Sequence, residues 1–205
     1  MLIQPLVGPQ NNSDGSFPAA IRGGKQGDLL VSELHGRYYE QTYRLNGFSV
    51  ASQAVATTTV GLATTYTGLA LVNPTTSSVN LVLNKCSIMQ SVIQATQVEA
   101  YALAFGFNAT TAVTLTAAAT PQSNVIGSGA VSQAKAATSA TLPTAPLYGV
   151  FVTSTPGATT DSGTGVIDLE GSVILKPGAY ACWVTPAQAS VAGLWFSFSW
   201  EEVPI

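Results

Sequence analysis

Charge is what this sequence has least of. Only 8% of its 205 residues are Asp, Glu, Lys or Arg, where a typical soluble domain carries about 25%. Disorder does not account for the deficit, because disordered chains are charged and poor in β-branched residues, whereas this one is rich in Val, Thr, Leu and Ala. Seven basic against ten acidic residues give a net charge of -3, which leaves no basic patch to neutralise phosphates and argues against direct nucleic-acid binding. Histidine occurs once, at His35, and no HxH, HExxH or CxxC spacing is present, so a zinc site of the usual kinds is excluded. The two cysteines, Cys86 and Cys182, are far apart and read as buried small hydrophobes rather than a disulfide. Long apolar runs are missing as well. Residues 45–84 carry no charge, but Thr57-Thr58-Thr59, Asn73-Pro74 and Ser77-Ser78 interrupt them, so the roughly 20 consecutive apolar residues of a membrane helix are not there. Met1-Leu2-Ile3-Gln4-Pro5 shows neither a basic n-region nor an apolar h-region. The expectation is a soluble chain made in the cytoplasm, without membrane contact.

What is present is the material of a β protein: 46% hydrophobic residues, with polarity supplied by Thr, Ser, Asn and Gln. Residues 1–24 are punctuated by Pro5, Pro9, Pro18 and several glycines without periodicity and read as an extended arm. Arg22, Lys25, Asp28, Glu33, Arg37, Glu40 and Arg44 follow, seven of the seventeen charges (7 basic, 10 acidic), with Tyr38, Tyr39 and Tyr43 among them. Glu33/Arg37 and Glu40/Arg44 could pair on a helix, but Gly36 weakens that reading and an extended segment is preferred. From Gly47 onward, short segments rich in β-branched and aromatic residues are bounded by Gly, Pro, Asn or Ser. Strands are predicted over 50–59, 67–72, 78–92 with an internal bend, 97–107, 113–116, 147–153, 165–175, 179–184 and 194–202. Lys176-Pro177-Gly178-Ala179 is a turn in which Gly178 supplies a positive φ. The stretch 116–146, low in complexity with Lys135 as its only charge, reads as a long surface loop. Together these define an extended N-terminal arm and charged anchoring segment, 1–46, followed by an all-β two-sheet sandwich of jelly-roll type, 47–205.

A search for chemistry returns little. There is no GxSxG elbow, no GxxxxGK[ST] and no GxGxxG after a strand. Asp168 and Glu170, at i,i+2, would share a strand face and could hold a hard cation or act as an acid/base pair, but a solvated edge strand explains them more simply. Asp161 sits in turn chemistry, Thr160-Asp161-Ser162-Gly163. Glu201-Glu202 read as solvated charges at a strand end. The chain is therefore expected not to be an enzyme and to need no cofactor or metal.

The segment Gly24-Lys25-Gln26-Gly27-Asp28-Leu29-Leu30-Val31-Ser32-Glu33-Leu34-His35-Gly36-Arg37-Tyr38-Tyr39-Glu40 resembles one found in structural proteins of tailed bacteriophages, where a Gly-Asp-Leu stretch leads into His-Gly-Arg-Tyr-Tyr-Glu. Gly68–Pro74, Leu175–Tyr180 and the closing Phe196-Ser197-Phe198-Ser199-Trp200-Glu201-Glu202 extend the likeness to the other end. The resemblance implies a virion component. A decoration or cement protein is the first expectation, a homotrimer that clamps the major capsid protein on the head surface. Arg22, Arg37 and Arg44 would then pair with carboxylates, and Tyr38 and Tyr39 would be interface anchors. The alternatives are a tail-fibre or baseplate receptor-binding knob and, more remotely, a cupin-like or glycosidase enzyme.

Overall fold

The run Phe196-Ser197-Phe198-Ser199-Trp200 alternates large apolar with small polar residues, and a strand turns that period of two into two faces. In the computed structural model, which describes residues 36–54, 61–91, 99–155, 164–186 and 193–205, Phe196, Phe198 and Trp200 are buried while Trp195, Ser197 and Ser199 face outward half-buried. The arm as far as residue 35 lies outside the described residues, as do 55–59 of the first expected strand. After a short helix α1 (Tyr39–Tyr43) come β1 (Gly47–Ala51), β2 (Thr65–Val72), β3 (Val79–Gln90), β4 (Glu99–Phe107), β5 (Thr114–Ala119), β6 (Gln122–Ser123), β7 (Lys135–Thr141), β8 (Leu147–Thr155), β9 (Thr164–Leu175), β10 (Ala179–Val184) and β11 (Leu194–Pro204).

The strands form two sheets, β6-β1-β11-β3-β9 and β5-β7-β2-β10-β4-β8, with every pairing antiparallel. Setting aside β5, β6 and β7, the orders are β1-β11-β3-β9 and β2-β10-β4-β8. This is the eight-stranded jelly roll of two Greek keys, so the sandwich expected from sequence is the fold observed. The three remaining strands are an insertion between β4 and β8. It adds β7 and β5 to the edge of β2, and β6 to the edge of β1, on the same flank of both sheets. The expected surface loop over 116–146 is thus overturned in part: 116–119, 122–123 and 135–141 are strand, Ala134, Ala136, Ala137 and Ala140 are buried, and Ala136 and Ala137 pair with Leu71 and Ala70.

The expected bend in the third strand is a bulge. Buried positions run Val79, Leu81, Leu83 and then switch parity to Cys86, Ile88, Gln90, with Asn84 as the extra residue opposite β11. On the other side β9 loops out between Asp168 and Val173, with Glu170 at φ 49 and Gly171 at φ 83.

Between the sheets the core is large and aromatic. Trp183 of β10 stacks on Phe196 at 6.0 Å and lies 6.1 Å from Phe198, and Phe48 stacks on Trp200 at 6.3 Å. Each such side chain contributes roughly 1.5–3 kcal/mol on burial, and each ring pair about 0.5–1.5 kcal/mol more. A second buried cluster occupies the opposite face of the six-stranded sheet: Tyr66, Ala70, Val72, Ala102, Ala104, Ala137, Tyr180, Cys182 and Val184 among others. Strand β10 is therefore buried at every position and β2 nearly so, which removes many places where a charged side chain could stand. Part of the charge deficit has this internal cause.

Asn73, read in the sequence only as a break in the apolar run, joins the two sheets. Its side-chain amide donates to Val79 O and Leu175 O, both at 2.8 Å. Its backbone carbonyl accepts from Gly178 N at 2.8 Å and its backbone N–H donates to Ala179 O at 2.9 Å. The turn that this anchors has Gly178 at φ 87, where a Cβ would meet Asn108 O at 2.4 Å, so glycine is required on both counts.

Candidate docking surfaces

Of the five residues nominated for partner binding, Arg22 lies outside the described residues and the other four fall at or beside α1. The Arg37 guanidinium is 5.9 Å from the centroid of the Tyr38 ring, within cation–π range. Tyr39 opens the helix, exposed. Glu40 and Arg44 form an exposed pair at 3.4 Å. The stretch Tyr39–Tyr43 is thus helical rather than extended. The acidic residue in its first turn and the Glu-before-Arg i,i+4 order both favour a helix. It stops in a Schellman arrangement: Leu45, at φ 64, donates to Thr42 O and Asn46 donates to Gln41 O, the place where glycine is usual. A surface pair of this kind stabilises by at most about 1 kcal/mol, so its groups stay available to a partner at little cost.

The other sequence candidates are placed as follows. Asp168 lies across from Lys85 on the exposed face of β9, carboxylate to ammonium 3.4 Å, while Glu170 sits on the bulge. His35 and Asp161 are outside the described residues, and among those described no group of three potential metal ligands occurs. Glu202 departs from expectation: it is buried, not solvated. Its carboxylate accepts from Ser132 Oγ, from Gln133 N at 3.0 Å and from Ala134 N at 3.3 Å, which pins the insertion to the last strand. Glu201 beside it is half-buried, and the desolvation raises its pKa. Both cysteines are free and buried, Cys86 in the inter-sheet core and Cys182 on the far face of the six-stranded sheet. Burial pushes the Cys86 thiol up to about 12 and the Cys182 thiol higher still, so both stay protonated and inert at neutral pH.

The sheet edges differ sharply. Strand β6 is two residues long. Strand β9 carries Asp168, Glu170 and the bulge, devices that blunt an edge. Strand β5 is short and ends in three alanines. Strand β8 is nine residues long within an uncharged run from Leu142 to Thr160, and it exposes Leu147 at 72%, Phe151 at 68% and Tyr148 at 37%. Tyr148 and Phe151 stack at 5.5 Å. Two extra residues in β8, near Gly149 and Val152, bend it against β4, so what it offers is side chains more than a straight ladder of backbone groups. Beside its start, between the ends of β4 and β9, opens a cleft of about 830 Å³.

Comparison with known proteins adds no relative: no protein-family model matches the chain, and no curated protein or solved structure does.

Proposed function

We propose that this chain is a structural protein of a phage particle: a capsid decoration protein that forms a homotrimer on the head surface and clamps neighbouring major capsid subunits. The observation that carries the reading is the long, uncharged edge of β8, which exposes Leu147, Tyr148 and Phe151 on a jelly roll whose other edges are two residues long, alanine-ended or charged. Such an edge is a liability on an isolated chain and an asset on one that assembles. Jelly rolls serve capsids, lectins and cupins alike, so the fold supports the proposal without deciding it. The Gly-Asp-Leu to His-Gly-Arg-Tyr-Tyr-Glu resemblance favours the virion. In mechanism, a clamp that binds the assembled lattice and not free subunits stabilises the lattice by mass action. Arg37, Tyr38, Tyr39 and Arg44 supply the cations and rings enriched where proteins grip proteins.

Two measurements test this. Light scattering at micromolar concentration should give three times the chain mass, and Phe151→Asp should shift it toward the monomer. A wild-type chain that stays monomeric contradicts the self-assembly. In co-sedimentation with particles lacking the protein, the Arg37→Glu/Arg44→Glu double variant should lose most binding while its melting temperature stays within a few degrees of wild type. Labelling confined to the tail would instead favour a receptor-binding knob.

A further inference from the structure

The cleft at the start of β8 is built from both sheets. Phe105 and Phe107 at the end of β4 and Leu147 of β8 form one wall, and Val173 and Ile174 of β9 the other. Phe105 and Val173 are partly buried and packed against the inter-sheet core, so they form the floor of a cleft that is open to solvent along Phe107, Leu147 and Ile174. Its volume of about 830 Å³ is in the range of pockets that hold small organic ligands, about 300–1,000 Å³, which combine an apolar lining with a few placed polar groups. Here one charged group stands among the described lining residues, Lys176. Its Nζ is 4.8 Å from the centre of the Phe107 ring, and that contact holds the ammonium at the mouth. Lys85, by contrast, meets Asp168 at 3.4 Å, whereas no ion pair to Lys176 exists among the described residues. A lysine at the rim of an apolar cleft, held by a ring and not by a carboxylate, fits a ligand that brings the negative charge itself.

We propose that this cleft binds an amphipathic monoanion: an apolar chain or ring that lies against Phe105, Leu147 and Val173, carrying a single carboxylate that meets the Lys176 ammonium at the rim. The site adjoins the exposed Tyr148–Phe151 pair, since Leu147 belongs to both surfaces, but the proposal concerns the chain in solution and does not rest on the assembly reading.

The probe is octanoate, titrated into the full-length protein and followed by amide NMR shifts, with 1-octanol and octylammonium as matched neutral and cationic chains. Octanoate should bind saturably at one site, shifting the amides of Phe107, Leu147, Ile174 and Lys176. It should bind about tenfold more tightly than octanol, since a hydrogen bond to a charged group is worth that or more, and octylammonium should be the weakest. Lys176→Met should erase the preference for octanoate over octanol while leaving octanol binding in place. Lys85→Met should change nothing, and Leu147→Asp should weaken all three. Absence of saturable octanoate binding overturns the proposal. So does a preference that survives Lys176→Met or vanishes equally in Lys85→Met. If Leu147→Asp does not fold, the two lysine variants decide the matter alone.

Discussion

Along its central strands β2, β10 and β4 the six-stranded sheet is buried on both faces, and the two faces are buried by opposite means. On the inner face, Leu69, Leu71, Leu103 and Trp183 reach across to Phe196, Phe198 and Trp200, and bulk fills the space between the sheets. On the outer face the strands present Ala70, Ala102, Ala104 and Cys182, and the largest side chains are two tyrosines, Tyr66 and Tyr180. Tyr180 lies over its cross-strand partner Gly106 so closely that a Cβ there would fall 2.2 Å from its ring, an aromatic covering a glycine in a neighbouring strand. Its hydroxyl donates to Thr144 O at 2.6 Å. Tyr66 curls back in the same manner, its hydroxyl 2.6 Å from Trp183 O. One face therefore depends on apolar area and the other on close approach of backbone and ring. The first should be sensitive to removing atoms and the second to adding them.

The largest effect expected is on the inner face. Phe198→Ala should cost about 3–5 kcal/mol, read as a fall in denaturation midpoint with an unchanged m-value; a loss below about 1 kcal/mol would mean that the seam collapses around the gap and is not close-packed. Next, Gly106→Ala should cost roughly 1–3 kcal/mol, the range for overpacking, although it adds only one methyl. Combined with Tyr180→Ala the penalty should be less than additive, and full additivity would show that ring and glycine do not confront each other. The smallest effect belongs to a third face, the outward one of the five-stranded sheet, where Glu201 is half-buried. Its pKa is raised by desolvation, so the folded state holds its proton more tightly than the unfolded state. The stability this gives is complete below the unfolded carboxylate pKa and is lost as pH rises through the folded one. Glu201→Gln should accordingly melt slightly higher than wild type at neutral pH, with the difference vanishing on acidification to about pH 4; a gain that persists in acid would have another cause.

How far the sequence discloses these features depends on whether the cause is local. Strand β11 is legible because large aromatics and serines alternate from Phe196 to Trp200, and β3 because its apolar run is long enough for even the bulge at Asn84 to register as a bend. The turn at Gly178 announces itself through Pro177. Strand β7 is hidden, since Lys135-Ala136-Ala137-Thr138-Ser139-Ala140-Thr141 has weak β propensity and is held by its pairing with β2, a contact across more than sixty positions. Helix α1 is too short to show a period, and its Leu45 stop lacks the usual glycine signal. Glu202 reads as a surface acid because its partners, Ser132 to Ala134, lie about seventy residues earlier. The candidate surfaces are less legible still. The sequence points to Arg37, Tyr38, Tyr39 and Arg44 through their density of charge and aromatic rings. It gives no sign that Tyr148 and Phe151 face outward, because an exposed strand alternates just as a buried one does. The cleft with Lys176 at its mouth is assembled from β3, β4, β8 and β9 and has no linear signature at all.

The central claim is that this chain is a stoichiometric part of an assembled particle. Quantitative mass spectrometry of particles purified from cultures that express it, compared with the unassembled fraction of the same lysate, tests that claim most directly. The account predicts the chain in intact heads at a fixed ratio to the major capsid protein, with a copy number divisible by three, and heads lacking it that disrupt at lower temperature. Purified particles free of the chain, with all of it in the unassembled fraction, would contradict the account.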